Sequence, residues 1–352
     1  MKIKFNSYRP WKLFFSVLLC FLPIIAYSQV TGSCAEKLKT AQSLFVKGQV
    51  EQVPSILGEC MKSGFTREES LSAYKLLIQS YIFEEKQDLA DSTMLAFLKI
   101  NPEYQISPTD HSSFVHLFNN YNVKPVVQIA LHFGTNVPFV TFVNPISLSG
   151  LPEKSKYSSK ALNLFASVEA KFELTKQIEL NFEAGYSQLA FTNTESFLGI
   201  YKINYTETQN RIELPLSGTY NFKSFGKFTP FGRFGFGPAI TISSSAKTNV
   251  TGSDINNLIV PPGPDLDIKS SGISLDLFTQ LGGGIKYKTR GGYITAEFRS
   301  NLGFFNQTTG GGVSTEELRW LYKYAADDFH LNAINFSIGY TQIFYKPSKR
   351  KE

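Results

Sequence analysis

Leu162-Asn163-Leu164-Phe165-Ala166-Ser167-Val168-Glu169-Ala170-Lys171-Phe172-Glu173-Leu174 places an apolar residue at every even position. The odd positions include Asn163, Ser167, Glu169, Lys171 and Glu173. A strand sends successive side chains to opposite faces, so this segment has one greasy face and one charged face. Similar segments recur from Val126 to Tyr345. A soluble sandwich would need a second sheet over the greasy face. A membrane barrel would turn that face to lipid and the charges inward.

The connections between the segments favour the barrel. Eight strands are expected at Val126–Val140, Ala161–Leu174, Ile178–Phe191, Tyr201–Phe222, Lys227–Ser243, Ile273–Tyr287, Gly292–Phe305 and Asn332–Tyr345. Tight links follow the second, fourth and sixth strands, at Thr175-Lys176-Gln177, Lys223-Ser224-Phe225-Gly226 and Lys288-Thr289-Arg290-Gly291. Long polar links follow the others, at Asn144–Lys160, Thr192–Ile200, Ser244–Gly272 and Asn306–Leu331. Short turns at one end and long loops at the other fit periplasmic turns and extracellular loops. An even number of strands returns both ends of the barrel to the periplasmic side.

In this register the lumen receives Gln128, His132, Glu169, Lys171, Glu173, Glu179, Glu183, Arg211, Glu213, Arg233, Asp276, Gln280, Lys286, Glu297 and Arg299. Both signs are present, and an eight-stranded barrel is just wide enough for its own side chains. The expectation is a network of ion pairs that plugs the barrel. Aromatics make up 14% of the chain, which suits interfacial girdles. Phe222, Phe225, Phe228, Tyr287, Tyr293, Phe344 and Tyr345 are assigned to the short-turn girdle. Phe139, Phe142, Phe191, Tyr201, Phe304 and Phe305 are assigned to the other.

Upstream the pattern is different. Lys2, Lys4, Arg9 and Lys12 precede an apolar run from Leu13 to Ile25 and then Ala26-Tyr27-Ser28, the order of a signal peptide spanning residues 1–28. The formal charge is +6, and without those four residues 31 basic side chains face 29 acidic ones. That balance gives no electrostatic case for nucleic acid. No later apolar run is long enough for a transmembrane helix.

Residues 29–122 read as a helical domain. Leu38, Ala41, Leu44 and Phe45 share one helical face, followed by Val53, Ile56, Leu57 and Cys60. Thr66-Arg67-Glu68-Glu69 reads as a capping box opening a second helix pair, Thr66–Lys86 and Gln87–Ile100. Cys34 and Cys60 lie near the start of one helix and the end of its partner. In an oxidising compartment they favour a disulfide, the alternative being two buried thiols.

Leu77, Tyr81, Ala90 and Pro102 have the spacing of a tetratricopeptide repeat, which this second pair resembles. Ile78 and Phe97 stand where that family has small residues. From Val126 onward the chain resembles the outer-membrane β-barrel family that includes PorT-like and OmpA-like eight-stranded barrels. The resemblance rests on the strands, on Phe231-Gly232-Arg233-Phe234-Gly235-Phe236-Gly237 and Leu281-Gly282-Gly283-Gly284, and on a final strand ending in Gly339-Tyr340-Thr341-Gln342-Ile343-Phe344. It implies architecture and location, not role.

The expected fold is thus α+β and multidomain: an N-terminal α-helical domain, then an eight-stranded antiparallel transmembrane β-barrel over residues 123–352. The expected location is the outer membrane, with the helices in the periplasm. Partners would be outer-membrane lipid and a periplasmic protein or cell-wall component held by the helices, with no nucleic acid. The expected role is non-enzymatic, with no catalytic residue, cofactor or metal. The alternatives are an enzyme acting through its extracellular loops and a small pore or hydrophobic-ligand conduit. His330 near Asp327 and Asp328 is the feature an enzyme would use, without a positioned nucleophile beside it. His111 and His116 do not have metal-pair spacing, and Asp254, Asp265 and Asp267 match no calcium loop. Gly232, Gly235 and Gly237 lie inside a strand and form no phosphate cradle.

Overall fold

The structure is a computed structural model that describes residues 31–144, 154–160, 163–197, 201–252, 263–308, 324 and 327–350. The expected signal peptide lies outside the described residues. The chain divides into two compact units, Met1–Asn122 with Lys349–Glu352, and Val123–Ser348.

The first unit contains α1 (Thr31–Val46), α2 (Val53–Leu57), α3 (Arg67–Phe83), α4 (Gln87–Ile100) and α5 (Ser112–Asn119). The capping box at α3 is formed. Thr66 Oγ1 accepts from the Glu69 amide at 3.3 Å, and the Glu69 carboxylate accepts from the Thr66 amide at 2.8 Å. Leu38 and Ala41 of α1, Val53 and Leu57 of α2, and Ala73, Leu76 and Leu77 of α3 make one buried cluster. A second centre joins α3, α4 and α5 through aromatic rings. Phe97 meets Tyr104 at 5.1 Å and Phe114 at 5.5 Å between centroids. No helix among the described residues is long and apolar enough to cross a membrane.

The second unit is one antiparallel sheet closed on itself. Its strands are β1 (Tyr121–Asn144), β2 (Lys154–Ser159), β3 (Asn163–Glu173), β4 (Ile178–Phe197), β5 (Tyr201–Glu213), β6 (Leu216–Asn221), β7 (Phe228–Gly252), β8 (Leu266–Asp267), β9 (Leu275–Thr289), β10 (Gly292–Gly303) and β11 (Asp328–Lys349). The sheet runs β4-β3-β1-β11-β10-β9-β7-β5, and β5 pairs back to β4. β5 and β6 are two halves of one stave, each bridging β4 and β7, so eight staves form the ring. The break between the halves falls at Leu214-Pro215, because proline has no N–H for the ladder. β2 and β8 are short additions at the long-loop end, on β4 and β7.

The burial pattern is inverted relative to a soluble protein. Along β3 the apolar Leu164, Val168 and Phe172 face outward, while Ser167, Glu169 and Lys171 are buried. Ile338 on β11 is 66% exposed and Phe133 on β1 is 64% exposed. Only a surrounding apolar medium accommodates such an outer face.

All four expected long loops are partly strand: β2 lies within Asn144–Lys160, β11 begins at Asp328 within Asn306–Leu331, and the other two are extensions of β4 and β7. β4 runs to Phe197 and pairs there with Tyr201, so the link expected over Thr192–Ile200 is mostly hairpin. β7 likewise continues to Gly252. These segments are polar on both faces, so hydrophobic alternation fades while ladder hydrogen bonding continues. The tight links remain tight. At the third, Gly291 takes φ +77°, a left-handed value that glycine adopts without a Cβ clash.

Candidate functional site

The feature of the barrel that could carry function is its lumen, filled by side chains at alternate positions of the staves. All ten charged residues expected to form its network point inward and are buried: Glu169, Lys171, Glu183, Arg211, Glu213, Arg233, Asp276, Lys286, Glu297 and Arg299. Gln128, His132, Glu179 and Gln280 are buried with them. Glu173 is not: β3 ends at this residue, and its side chain is exposed at the short-turn mouth.

The charges fall into layers. In the middle, Arg233 pairs with Glu169 at 2.6 Å, Glu297 at 2.8 Å and Glu183 at 3.4 Å. Arg299 pairs with Glu183 and Glu297, both at 2.8 Å. Lys171 lies 3.2 Å from Glu169, and His132 Nε2 lies 3.0 Å from the same carboxylate. Three carboxylates thus face two guanidinium groups and one ammonium, with the His132 imidazole beside them. Toward the short turns, Lys286 donates to both oxygens of Glu179 at 2.7 Å, and Asn221 donates to the same carboxylate at 2.8 Å. The Lys286 ammonium also lies 4.9 Å from the Tyr293 ring centre. Toward the long loops, Arg211 lies 3.6 Å from Asp276 and donates to Gln209. Asn301 donates to Glu213 at 3.2 Å.

A further layer, not expected from the sequence, closes the long-loop end. Tyr205 donates to Glu207 at 2.8 Å, Gln209 donates to the same carboxylate at 2.6 Å, and the Tyr205 ring stacks on Tyr324 at 4.2 Å. Tyr205, Glu207 and Gln209 lie in the strand expected over Tyr201–Phe222, and the inward parity of Arg211 and Glu213 continues back through them. Small voids of about 20 Å³ and 10 Å³ remain among these upper layers. The larger opening, about 220 Å³, is at the short-turn mouth and stops at the Lys286–Glu179 pair.

Two residues assigned to girdles belong to the interior. Tyr293 is buried and donates to Gln128 Oε1 at 2.8 Å, and Phe191 is buried against Phe329. Their odd numbers match the inward parity of β10 and β4, a signal that composition near the strand ends obscured. Phe222, Phe225, Phe228, Tyr287 and Phe344 are exposed at the short-turn end, and Phe139, Phe142, Phe304 and Phe305 at the other.

The remaining candidate residues are not assembled into a centre. His330 lies within β11, and its Nδ1 donates to the Gly303 carbonyl at 3.1 Å. His111 caps α5, its Nδ1 accepting from the Ser113 amide at 3.3 Å. Asp265 lies 3.8 Å from Lys247, and Asp267 accepts from the Lys269 amide at 2.9 Å. Asp254 lies outside the described residues. Cys34 and Cys60 are joined, with Cα atoms 5.8 Å apart.

A family profile described as "Outer membrane protein beta-barrel domain" matches residues 122–308, more than half of the chain. The chain belongs to this outer-membrane β-barrel family. Its place is accordingly the outer membrane. No functionally curated protein matches it. Among solved structures it is similar to the outer membrane protein AlkL, at 14% identity over 65% of this chain and 94% of that one, with a TM-score of 0.34. It is also similar to Ail, the attachment invasion locus protein of Yersinia pestis, at 10% identity over 61% and 99%, with a TM-score of 0.26. The outer membrane enzyme PagL is similar at 11% identity over 61% and 98%, with a TM-score of 0.25. These neighbours include an enzyme, and at such scores they say nothing of this chain's activity.

Proposed function

We propose that this protein is a non-enzymatic outer-membrane anchor, PorT-like in architecture. Its plugged barrel holds a tetratricopeptide-like helical unit in the periplasm, and that unit binds a protein or cell-wall partner. The observation that carries this reading is the lumen. Its inward cations each face a carboxylate, and the acids Glu207 and Glu213 accept from Tyr205, Gln209 and Asn301, which fits a structural plug better than a conduit or a reactive site. The helical unit supplies what the barrel lacks. Ala90 is fully buried, as close packing of a repeat-type helix pair requires, while Val46 and Phe83 leave apolar surface uncovered.

The test is photo-crosslinking in intact cells, with a benzophenone amino acid at Phe83 and, as a control, at the lipid-facing Ile338. A discrete adduct from Phe83 alone is the expected outcome. Absence of any adduct from Phe83 would overturn the partner-binding role. Loss of a phenotype in a His330→Ala variant would favour the enzyme.

A further inference from the structure

The three short connections of the barrel carry an unbalanced charge. Over residues 173–178, 222–228 and 287–292, the basic residues are Lys176, Lys223, Lys227, Lys288 and Arg290, and the only acid is Glu173. All six are exposed. Lys346 adds another exposed cation on β11, two residues beyond the outward Phe344. The long-loop end differs. Over residues 144–160, 192–200, 244–272 and 306–331, nine acidic residues stand against seven basic ones, and Lys247 pairs with Asp265.

Apolar side chains occupy the same turns. Leu174 is 63% exposed beside Lys176, and Phe225 is 56% exposed between Lys223 and Lys227. A turn standing clear in water has no use for an exposed leucine and an exposed phenylalanine. A turn lying at the membrane interface does: the apolar group enters the acyl boundary while the lysines extend to the headgroups. The bare phenylalanine and leucine therefore argue for a lipid surface over a soluble anion or an acidic protein.

We infer that the short-turn rim, through Lys176, Lys223, Lys227 and Arg290, binds the phosphate groups of anionic phospholipids in the leaflet it faces. The physics is that of a basic patch at a negative membrane surface, where each cation contributes and the attraction fades within a Debye length. This inference does not depend on what the helical unit binds. Anionic lipid enriched at this rim would fix the depth of the barrel in the bilayer and orient whatever the chain carries there.

The test uses the full chain reconstituted in phosphatidylcholine vesicles with and without phosphatidylglycerol, and native mass spectrometry of the lipids it retains. Retention of phosphatidylglycerol over phosphatidylcholine by roughly tenfold is expected, falling toward parity at about 1 M salt, where the Debye length is only about 3 Å. The variant K176Q/K223Q/K227Q/R290Q should lose the preference, and K176R/K223R/K227R should keep it. If the fourfold variant does not fold, Lys223→Gln and Lys227→Gln singly decide, each lowering the preference by about twofold. Equal retention of both lipids by the native chain would overturn the inference. So would an undiminished preference in the folded glutamine variants, or displacement of the lipid by inorganic phosphate at matched ionic strength.

Discussion

At the scale of single residues, two charged clusters decide stability. Arg233 touches three carboxylates and is buried, so its removal strands negative charge where water cannot compensate. Arg233→Ala should destabilise the barrel by about 3–5 kcal/mol, read as a lower urea midpoint for loss of the folded gel band. A variant as stable as the native chain would mean that the lumen is wet. The helical unit has its own pair. Asp110 accepts from Lys75 at 2.6 Å, from the Tyr104 hydroxyl at 2.6 Å and from the Ser107 amide at 2.7 Å. Burial pushes the Asp110 carboxyl up, but the bonds from Lys75, Tyr104 and Ser107 outweigh it and hold its pKa below the usual value. Burial pulls the Lys75 ammonium down, and the bonds to Asp110 and Tyr104 more than reverse this. Asp110 is thus depressed in the fold, and its contribution is full above the unfolded value of about 3.9 and lost as pH falls through the folded one. Lys75 is raised, and its contribution is full below about 10.4 and lost as pH rises further. Circular dichroism melts of the helical unit should stay flat between these limits, and Asp110→Asn should flatten the acid limb. An unchanged acid limb in that variant would remove Asp110 from the account.

At the level of elements, strands with one apolar face are legible in the sequence, and strands polar on both faces are not. The starts of β4, β5, β9 and β10 fall within two residues of expectation, because alternation and turn chemistry agree there. The tips of β4 and β7 look like loop because residues such as Thr192, Asn193 and Thr194 are polar on both faces and only backbone pairing makes them strand. The ladder between β5 and β7 slips at Asn210/Arg211, so buried positions on β7 change from odd to even between Thr241 and Ser244. No single-strand pattern reveals such a bulge. The glycine-rich stretch of β9 has a reason that only packing shows. A Cβ at Gly284 would lie 2.9 Å from the Phe231 ring and 2.2 Å from the Ala296 carbonyl oxygen. Gly284→Val should therefore destabilise the barrel by about 1–3 kcal/mol through overpacking, measured by the same urea midpoint. In the helical unit, the Cys34–Cys60 bond closes a separation of 26 residues, for which chain entropy gives about 3 kcal/mol. Replacing both by Ser should make that unit protease-sensitive and leave the barrel's gel shift intact. A helical unit as protease-resistant without the bond as with it would show that packing alone suffices.

At the scale of the whole molecule, the inversion of burial governs behaviour outside the cell. A ring whose outer face is Leu164, Phe133 and Ile338 and whose inner face is Glu169, Arg233 and Arg299 is expected to stay closed in detergent and to open only on heating. The purified chain should therefore migrate differently on gels before and after boiling, and it should require detergent for extraction. Recovery in a soluble fraction without detergent would contradict the barrel. Closure also determines permeability. A void needs about 10–15 Å³ to hold one water, so spaces of about 20 Å³ and 10 Å³ admit roughly a single molecule each. The wider mouth, about 220 Å³, ends at Lys286 and Glu179, whose 2.7 Å contact leaves no gap for a hydrated ion. Below it lie the three carboxylates and three cations of the middle layer, already neutralised by one another. The native chain in planar bilayers should therefore show no unitary currents. Arg233→Ala combined with Arg299→Ala, if it retains the heat-dependent gel shift, should leak cations, because three carboxylates would then line an opened lumen. Steady unitary currents from the native chain would refute the plug and, with it, the reading of the barrel as an anchor.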